Sequence, residues 1–342
     1  MKIAGALRCC AAVAGLLAIA APAAAQETIT VGIYAATSDA PLFIADKKGY
    51  FRDEGIAVKL TSFQSAAMMV PPLGTGQLDV GAGSASAGLY NAVARGIKIR
   101  IVADKASSPP GYGGTKLLVR KDHVDSGRYK TLKDLKDMKF ATNAPGVSNT
   151  STLNDALKSV GLKYSDVDTV DFASPMDHVA ALKNKSVDAA ASIEPAPTLA
   201  VENGSAVVIG PDDVVSPYHQ IAVLLYSEAF AAKTGLAMKF MRAYIRAVRF
   251  YNDALKDGKL AGKTADELIA ILTEYTPVKA EIYRKVTPTG MNPDGDVNIA
   301  SLEHDLAFYT EQGLVKEKIK VYELVDMSFA KAAVKELGPY TK

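Results

Sequence analysis

The sequence contains no tryptophan, and its two cysteines, Cys9 and Cys10, both lie close to the N-terminus. A chain that loses its N-terminal segment therefore has no cysteine and cannot form a disulfide. Without tryptophan, any aromatic surface that stacks on a ligand must come from tyrosine or phenylalanine.

An excess of charge of either sign is also missing. Lys and Arg number 39 against 37 Asp and Glu, and Lys2 and Arg8 account for the difference. A chain that begins after Ala25 has zero formal net charge, so we expect no general attraction to nucleic acid or to an anionic membrane. Beyond this point no apolar run is long enough for a transmembrane helix, and we expect a protein that is not membrane-embedded.

The N-terminus is typical of a secretory signal peptide. Lys2 and Arg8 precede an apolar segment that runs from Ala11 to Ala20, and an Ala-x-Ala pattern ends at Ala25. This order predicts a signal peptide over residues 1–25, cleavage after Ala25 and export to the periplasm. The apolar segment is too short to remain as a spanning helix. An arginine directly before the cysteine pair argues against a lipid anchor.

Strand and helix patterns alternate along the rest of the chain, which predicts an α/β fold with mostly parallel sheets. After the Pro- and Gly-rich loop at 107–114 the pattern starts again. One constant offset in residue number aligns Val58 with Val167 and Asp79 with Asp188. The sequence therefore predicts two α/β lobes built alike.

The predicted lobes have definite limits. The first lobe begins with residues 26–110, the second spans 111–222, and residues 223–342 return to the first lobe and add C-terminal helices. Two crossovers join the lobes and leave a cleft between them. Ligands of open α/β sheets bind beyond the carboxyl ends of the strands, and in both lobes those ends are expected to face the cleft.

The segment from Asp79 to Asp104 has the order of a dinucleotide-binding unit. Gly81-x-Gly83-x-x-Ser86 nearly completes the glycine fingerprint, and an acid follows at the spacing of a ribose ligand. The strand before the glycines is short and charged, whereas such units have a continuous apolar strand. Export also removes the supply of NAD. We therefore expect no cofactor and interpret the segment as a strand-to-helix turn.

Three strand-to-helix turns combine small residues with hydroxyl, amide or carboxylate side chains. Free N–H groups at a helix N-terminus accept anions or ligand oxygens. The same side chains also cap helices, so capping is the better interpretation of any single turn. Three such turns at one cleft favour the interpretation that they bind a ligand. The candidate ligand-binding residues of these turns are Ser38, Asp39, Ser84, Ala85, Ser86, Val147, Ser148 and Asn149.

Two further candidates lie outside these turns. Glu194 precedes Pro195 at a predicted helix start, where it either faces the cleft or stabilises the helix as an N-terminal acid. Tyr112 lies in the crossover loop and either stacks on a ligand or packs at the hinge.

The sequence contains no catalytic or metal-site pattern. The four histidines have neither an i, i+4 pair nor a nearby cluster with ligand spacing. We interpret His123 and His178 as solvated loop or helix-start residues, and we expect no catalytic residue and no metal site.

The segment ITVGIYAATSDAPLFIADKKGYFRDEGIAVKLTSF, residues 29–63, resembles the N-terminal signature of periplasmic binding proteins for alkanesulfonates, taurine, nitrate and thiamine-pyrimidine precursors. LGTGQLDVGAGSAS and LKNKSVDAAASIEPAP are similar to the paired Gly/Asp elements of that family. The resemblance implies a type II periplasmic-binding fold, with two Rossmann-like lobes and a hinged cleft. It also implies a monomer that delivers a small solute to an ABC permease and its ATPase without chemistry. The implied solute is a sulfonate, a carboxylate or a pyrimidine-like molecule.

Two alternatives to transport remain open. One is an exported sensor that signals through a membrane receptor. The other is an enzyme similar to the pyrimidine-precursor synthases, which share the fold. Those enzymes carry a cysteine-rich segment, so the absence of cysteine after residue 25 disfavours this alternative.

Overall fold

The computed structural model describes residues 27–34 and 36–342. The predicted signal peptide lies outside the described residues. Ten strands form two five-stranded sheets. They are β1 (Thr28–Ile33), β2 (Ala57–Ser62), β3 (Val80–Gly83), β4 (Ile99–Ser107), β5 (Thr115–Arg120), β6 (Lys139–Thr142), β7 (Asp168–Asp171), β8 (Ala189–Ile193), β9 (Ala206–Pro211) and β10 (Gln220–Ser227).

The two sheets have the same topology. The first has the order β2-β1-β3-β10-β4, and the second has the order β7-β6-β8-β5-β9. In each sheet the fourth strand runs antiparallel to both of its neighbours, while the first three strands are parallel. The chain therefore consists of two similar α/β lobes, and the predicted fold class is confirmed.

The internal repeat holds at the level of strand register. Val31 pairs with Val80 in the first sheet, and Phe140 pairs with Ala189 in the second. The offset in residue number that aligns Val58 with Val167 also aligns Val31 with Phe140 and Val80 with Ala189.

The acid of the repeated Gly/Asp element has the same role in both lobes. The Asp79 carboxylate accepts a hydrogen bond from the Thr30 N–H at 2.8 Å, and the Asp188 carboxylate accepts one from the Lys139 N–H at 3.1 Å. Each acid thus pairs the backbone donor one residue before two central strands begin to pair, β1 with β3 in the first sheet and β6 with β8 in the second.

Helices connect the strands and form the C-terminal part of the chain. They are α1 (Ala40–Lys47), α2 (Tyr50–Asp53), α3 (Val70–Gly74), α4 (Ala87–Ala94), α5 (Lys121–Asp125), α6 (Ser148–Ser159), α7 (Pro175–Lys183), α8 (Ala196–Glu202), α9 (Asp212–Val215), α10 (Glu228–Ala232), α11 (Thr234–Ala254), α12 (Ala265–Tyr275), α13 (Ala280–Tyr283), α14 (Ile299–Glu311) and α15 (Ser328–Leu337). A small hairpin, β11 (Leu255–Lys256) and β12 (Lys259–Leu260), follows α11.

The long helix α11 packs the C-terminal part of the chain onto the first sheet. Its buried face includes Phe240, Tyr244 and Val248, which share one apolar core with Val31 of β1 and Phe43 of α1. The Tyr244 hydroxyl donates to the Asp104 carbonyl at 2.9 Å, so the helix is also tied to β4 by a polar contact.

Within the described residues, no helix combines the length and apolar character that a membrane crossing requires.

Candidate functional site

A small polar pocket lies between the two lobes, at the carboxyl ends of β1, β3 and β6. Its volume is about 40 Å³, which exceeds the space that one water molecule needs. It therefore accommodates a small head group. Five of the predicted site residues line it, and they come from all three strand-to-helix turns: Ser38, Ser84, Val147, Ser148 and Asn149.

The two lobes contact each other directly at this pocket. The hydroxyl oxygens of Ser84 in the first lobe and Ser148 in the second lie 3.0 Å apart. Beside them the Ala87 N–H donates to the Gly146 carbonyl at 2.8 Å. Gly146 has φ +65°, and a Cβ at this position would lie 2.5 Å from the Ala87 Cβ. Glycine is therefore required here both by the backbone conformation and by the approach of the lobes.

A buried ion pair that sequence reasoning missed forms another wall of the pocket. Lys105 of β4 is 1% exposed, and its Nζ lies 2.9 Å from Asp39 Oδ1 and 2.8 Å from Ser38 Oγ. The other Asp39 oxygen accepts the N–H groups of Tyr34 and Ala36, each at 3.0 Å. Asp39 therefore reaches the pocket through Lys105 and also fixes the turn after β1.

Asparagines from the second lobe complete the polar wall. The Asn149 amide nitrogen donates to Asn143 Oδ1 at 2.8 Å and to the Ala191 carbonyl at 2.6 Å. The Ala191 carbonyl can only accept, so these bonds fix which end of the amide is the nitrogen. Asn143, which also lines the pocket, was not predicted from the sequence.

Ala85 and Ser86 lie behind the pocket wall. Ser86 is fully buried and accepts a hydrogen bond from the Leu89 N–H at 3.2 Å, as the N-cap of α4. Ala85 belongs to the apolar core of the first lobe. The structure thus assigns Ser86 the capping role that was the alternative for this turn.

A larger cavity of about 490 Å³ adjoins the polar pocket and contains Glu194. Most of its walls are apolar, and they include Met176, Leu199 and Ile282. The Glu194 carboxylate accepts hydrogen bonds from the N–H and hydroxyl of Thr198, at 3.2 and 2.9 Å. Burial raises the pKa of Glu194, against the opposing effect of Lys116.

Tyr34 borders both the polar pocket and the larger cavity. Its hydroxyl donates to the Ala173 carbonyl of the second lobe at 2.8 Å, so this side chain crosses the cleft. Burial, followed by the charges of Asp39 and Asp177, raises the pKa of Tyr34. The hydroxyl therefore stays protonated and acts as a donor.

Tyr112 is not brought to either cavity. It is half-buried and borders a separate surface depression with Asp253, Leu255 and Lys263.

The interpretation of His123 and His178 as solvated residues is wrong. His178 is fully buried, with its ring nitrogens 3.0 Å from Ser192 Oγ and 3.1 Å from the Thr142 carbonyl. Burial lowers the pKa of His178 to about 4, which keeps the ring neutral. His123 is 5% exposed and lies 2.7 Å from Asp188. These three partners lie on β6, on β8 and directly before β8, and the sequence around each histidine does not indicate them. Over residues 27–34 and 36–342, no three or more His, Cys, Asp and Glu side chains are arranged to hold a metal ion.

Comparison with known proteins gives one family and many similar folds. Residues 22–266 match the NMT1-like family. The nitrate import ATP-binding protein NrtC of Synechococcus elongatus is 29% identical over 220 residues, which are 62% of this chain and 33% of NrtC. The chain thus spans about a third of that relative.

Two solved structures illustrate the shared fold. The alkanesulfonate-binding protein SsuA of Xanthomonas axonopodis pv. citri, bound to MOPS, has a TM-score of 0.70 and 19% identity, over 89% of this chain and 99% of SsuA. The periplasmic nitrate-binding protein NrtA of Synechocystis PCC 6803 has a TM-score of 0.74 and 16% identity, over 92% of this chain and 89% of NrtA. The resemblance of residues 29–63 is confirmed: the chain belongs to the NMT1-like family and has the two-lobed fold of periplasmic substrate-binding proteins.

Proposed function

We propose that this protein is the extracytoplasmic solute-binding component of an ABC import system. It captures one small organic solute between its lobes and delivers it to a membrane permease and its ATPase. The observation that carries this proposal is the polar pocket, because side chains of both lobes meet there and Ser84 lies opposite Ser148. Family membership and the transport-related names of the relatives support it.

Closure of the lobes on the solute supplies the transport signal. A ligand shifts a two-state equilibrium only through contacts that it makes better in one state. A solute that touches Ser84 and Ser148 together makes both contacts only when the lobes are closed, so it favours the closed state. We also propose that the first lobe limit lies at residue 110, and that the second, expected at residue 222, lies instead just before Gln220, where β10 of the first sheet begins. The two crossovers act as the hinge.

The ligand site in this proposal has two parts. Ser38, Ser84, Val147, Ser148 and Asn149 bind a polar head group in the inner pocket, and Asp39 acts there through Lys105. The larger cavity beside Glu194 and Tyr34 receives an apolar body, which supports an organic solute over a bare inorganic anion. The expected solute classes remain sulfonates, carboxylates and pyrimidine-like molecules.

We propose binding without chemistry. The Ser84 hydroxyl donates to the Ile221 carbonyl at 3.1 Å and contacts Ser148, and neither partner is a base that activates a nucleophile. The proposal includes export with cleavage after Ala25, which N-terminal sequencing of the exported protein tests.

A thermal-shift screen of the chain from residue 26 tests the proposal. Sulfonates, carboxylates, pyrimidine-like molecules and the neutral amides and sulfonamides that match them are added separately. A ligand that binds only the folded state raises the melting temperature as its concentration exceeds the Kd. We expect one solute class to raise it, and native mass spectrometry to find one solute per chain. No shift with any solute, and no copurified small molecule, would overturn the binding function. Neighbouring permease and ATPase genes separate transport from sensing.

A further inference from the structure

We propose that the head group of the solute is uncharged and carries an N–H donor beside an acceptor oxygen, as a primary amide, a lactam or a sulfonamide does. This inference rests on the proposed function and specifies the chemistry of the same pocket. It follows from counting the donors and acceptors that the pocket walls leave free.

The serine hydroxyls between the lobes have only acceptor capacity left. A carbonyl oxygen can only accept, so Ser84 must use its hydroxyl hydrogen on the Ile221 carbonyl at 3.1 Å. Ser148 must then be the donor in the 3.0 Å contact between the two hydroxyls. Both hydrogens are therefore engaged, and each oxygen still has lone-pair capacity for a ligand N–H.

Asn149 adds an acceptor that lacks a donor. Its side-chain nitrogen uses both hydrogens on Asn143 and the Ala191 carbonyl, which leaves Oδ1 as the free end of the amide. Asn149 is 2% exposed and lines the pocket, and no donor in the described part of the chain bonds its Oδ1. A buried acceptor without a donor is costly, so a ligand N–H that reaches this oxygen from the pocket would be favoured.

The opposite wall of the pocket supplies donors. The Lys105 ammonium has three N–H groups; one is donated to Ser38 Oγ, and the ammonium forms an ion pair with Asp39 Oδ1 at 2.9 Å, so donor capacity remains for a ligand. Ser38 accepts from Lys105, so its own hydroxyl hydrogen is available to a ligand oxygen. A head group that fits this pocket therefore offers an acceptor toward Lys105 and a donor toward Asn149.

The charge balance of the pocket disfavours an anion. Lys105 is the sole charged residue among the pocket-lining residues that the structure describes, and Asp39 already neutralises it. A sulfonate, carboxylate or nitrate would compete with the Asp39 carboxylate for one ammonium. Such anions have no donor for Asn149 Oδ1, and two acceptors facing each other repel. A neutral amide avoids both costs.

Matched neutral and anionic ligands test this inference on the chain from residue 26. Isothermal titration compares benzamide with benzoate, and benzenesulfonamide with benzenesulfonate, since each pair shares a ring that the larger cavity can take. We expect the neutral member of each pair to bind at least about tenfold more tightly. Equal or tighter binding of the anions, or no binding of any of the four probes, would overturn the head-group assignment. Only failure of the whole solute screen bears on the proposed function.

The Asp39→Asn variant provides a second test, in which the preference is expected to shift toward the anionic ligand. The new amide oxygen still accepts the N–H groups of Tyr34 and Ala36, while the charge that neutralises Lys105 is gone. We expect the affinity for benzenesulfonate relative to benzenesulfonamide to rise about tenfold. Circular dichroism checks that the variant is folded. A folded variant with an unchanged affinity ratio would show that the ion pair does not set the charge preference.

Discussion

The hydroxyl oxygens of Ser84 and Ser148 lie 3.0 Å apart, although the two residues belong to different lobes. Ser84 directly follows β3 of the first sheet, and Ser148 begins α6, which follows β6 of the second sheet; the facing sheets bring the two turns together. A solute in the pocket beside them contacts both lobes at once. A change at either position is therefore expected to act on binding more than on folding.

The Ser84→Leu substitution is expected to abolish solute binding. A leucine side chain would fill a pocket of about 40 Å³ and remove one of the two facing hydroxyls. We expect an affinity loss of at least about a hundredfold, with a change in unfolding free energy that is small by comparison. The matched control is Ser86→Ala, which removes the N-cap of α4. It should cost about 1 kcal/mol of stability and leave affinity unchanged. Unchanged affinity in Ser84→Leu would remove this turn from the site.

The Lys105→Met substitution is expected to destabilise the fold strongly. It leaves the fully buried Asp39 carboxylate without its cation at 2.9 Å. Breaking a buried pair from one side costs about 3–5 kcal/mol, measured by denaturant unfolding. The double variant Asp39→Asn/Lys105→Met removes both charges and should recover most of this loss. A single variant as stable as the wild type would show that the pair contributes little.

Stability is expected to fall as the pH rises from about 6.5 to about 9, because of His219. Burial lowers the pKa of His219, but its contact with Asp305 at 3.0 Å and the charges of Asp212 and Asp155 outweigh burial and raise the pKa to about 9. A folded-state pKa above the unfolded value means that the stabilisation is complete below pH 6.5 and is lost through pH 9. Its size is on the order of 3 kcal/mol.

A second histidine, His304, provides a control for this pH dependence of stability. Burial raises the pKa of Asp212 to about 7, which also makes stability fall with pH, so the effect of His219 is measured above about pH 7.5. His219→Gln should flatten the dependence there, whereas His304→Gln, at a half-exposed side chain, should keep it. A steep wild-type dependence that survives in His219→Gln would contradict this assignment.

Much of the fold could be predicted from the sequence because its signals are local and repeated. The alternation of strands and helices indicated the fold class, and the constant offset between the two halves indicated two lobes built alike, which the equivalent registers of Val31 with Val80 and of Phe140 with Ala189 bear out. The strand β9 was missed because the segment after Gly204 has no alternating pattern of its own. Its pairing with β5 comes from tertiary contact.

The site was predicted in part, for a physical reason. Turns such as 146–149 are recognisable through small and polar residues before a helix. The burial of Lys105 is not, since it depends on Asp39, which comes from a much earlier segment of the chain and meets it only in the folded sheet. The adjacent charges of Asp104 and Lys105 in the interior of a strand were the available signal. His123 and His178 were misjudged for the same reason.

The central claim is that a solute enters and leaves between Ser84 and Ser148. The chain from residue 26 has no cysteine, so the Ser84→Cys/Ser148→Cys double variant carries a single pair of thiols. Titration of the oxidised and the reduced variant with the solute that gives the largest thermal shift measures whether the lobes must part. We expect that the oxidised form does not bind and that reduction restores binding, with an affinity below that of the wild type because thiols are weaker hydrogen-bond acceptors than hydroxyls. Equal affinity of both forms, with the disulfide confirmed by mass, would contradict the claim.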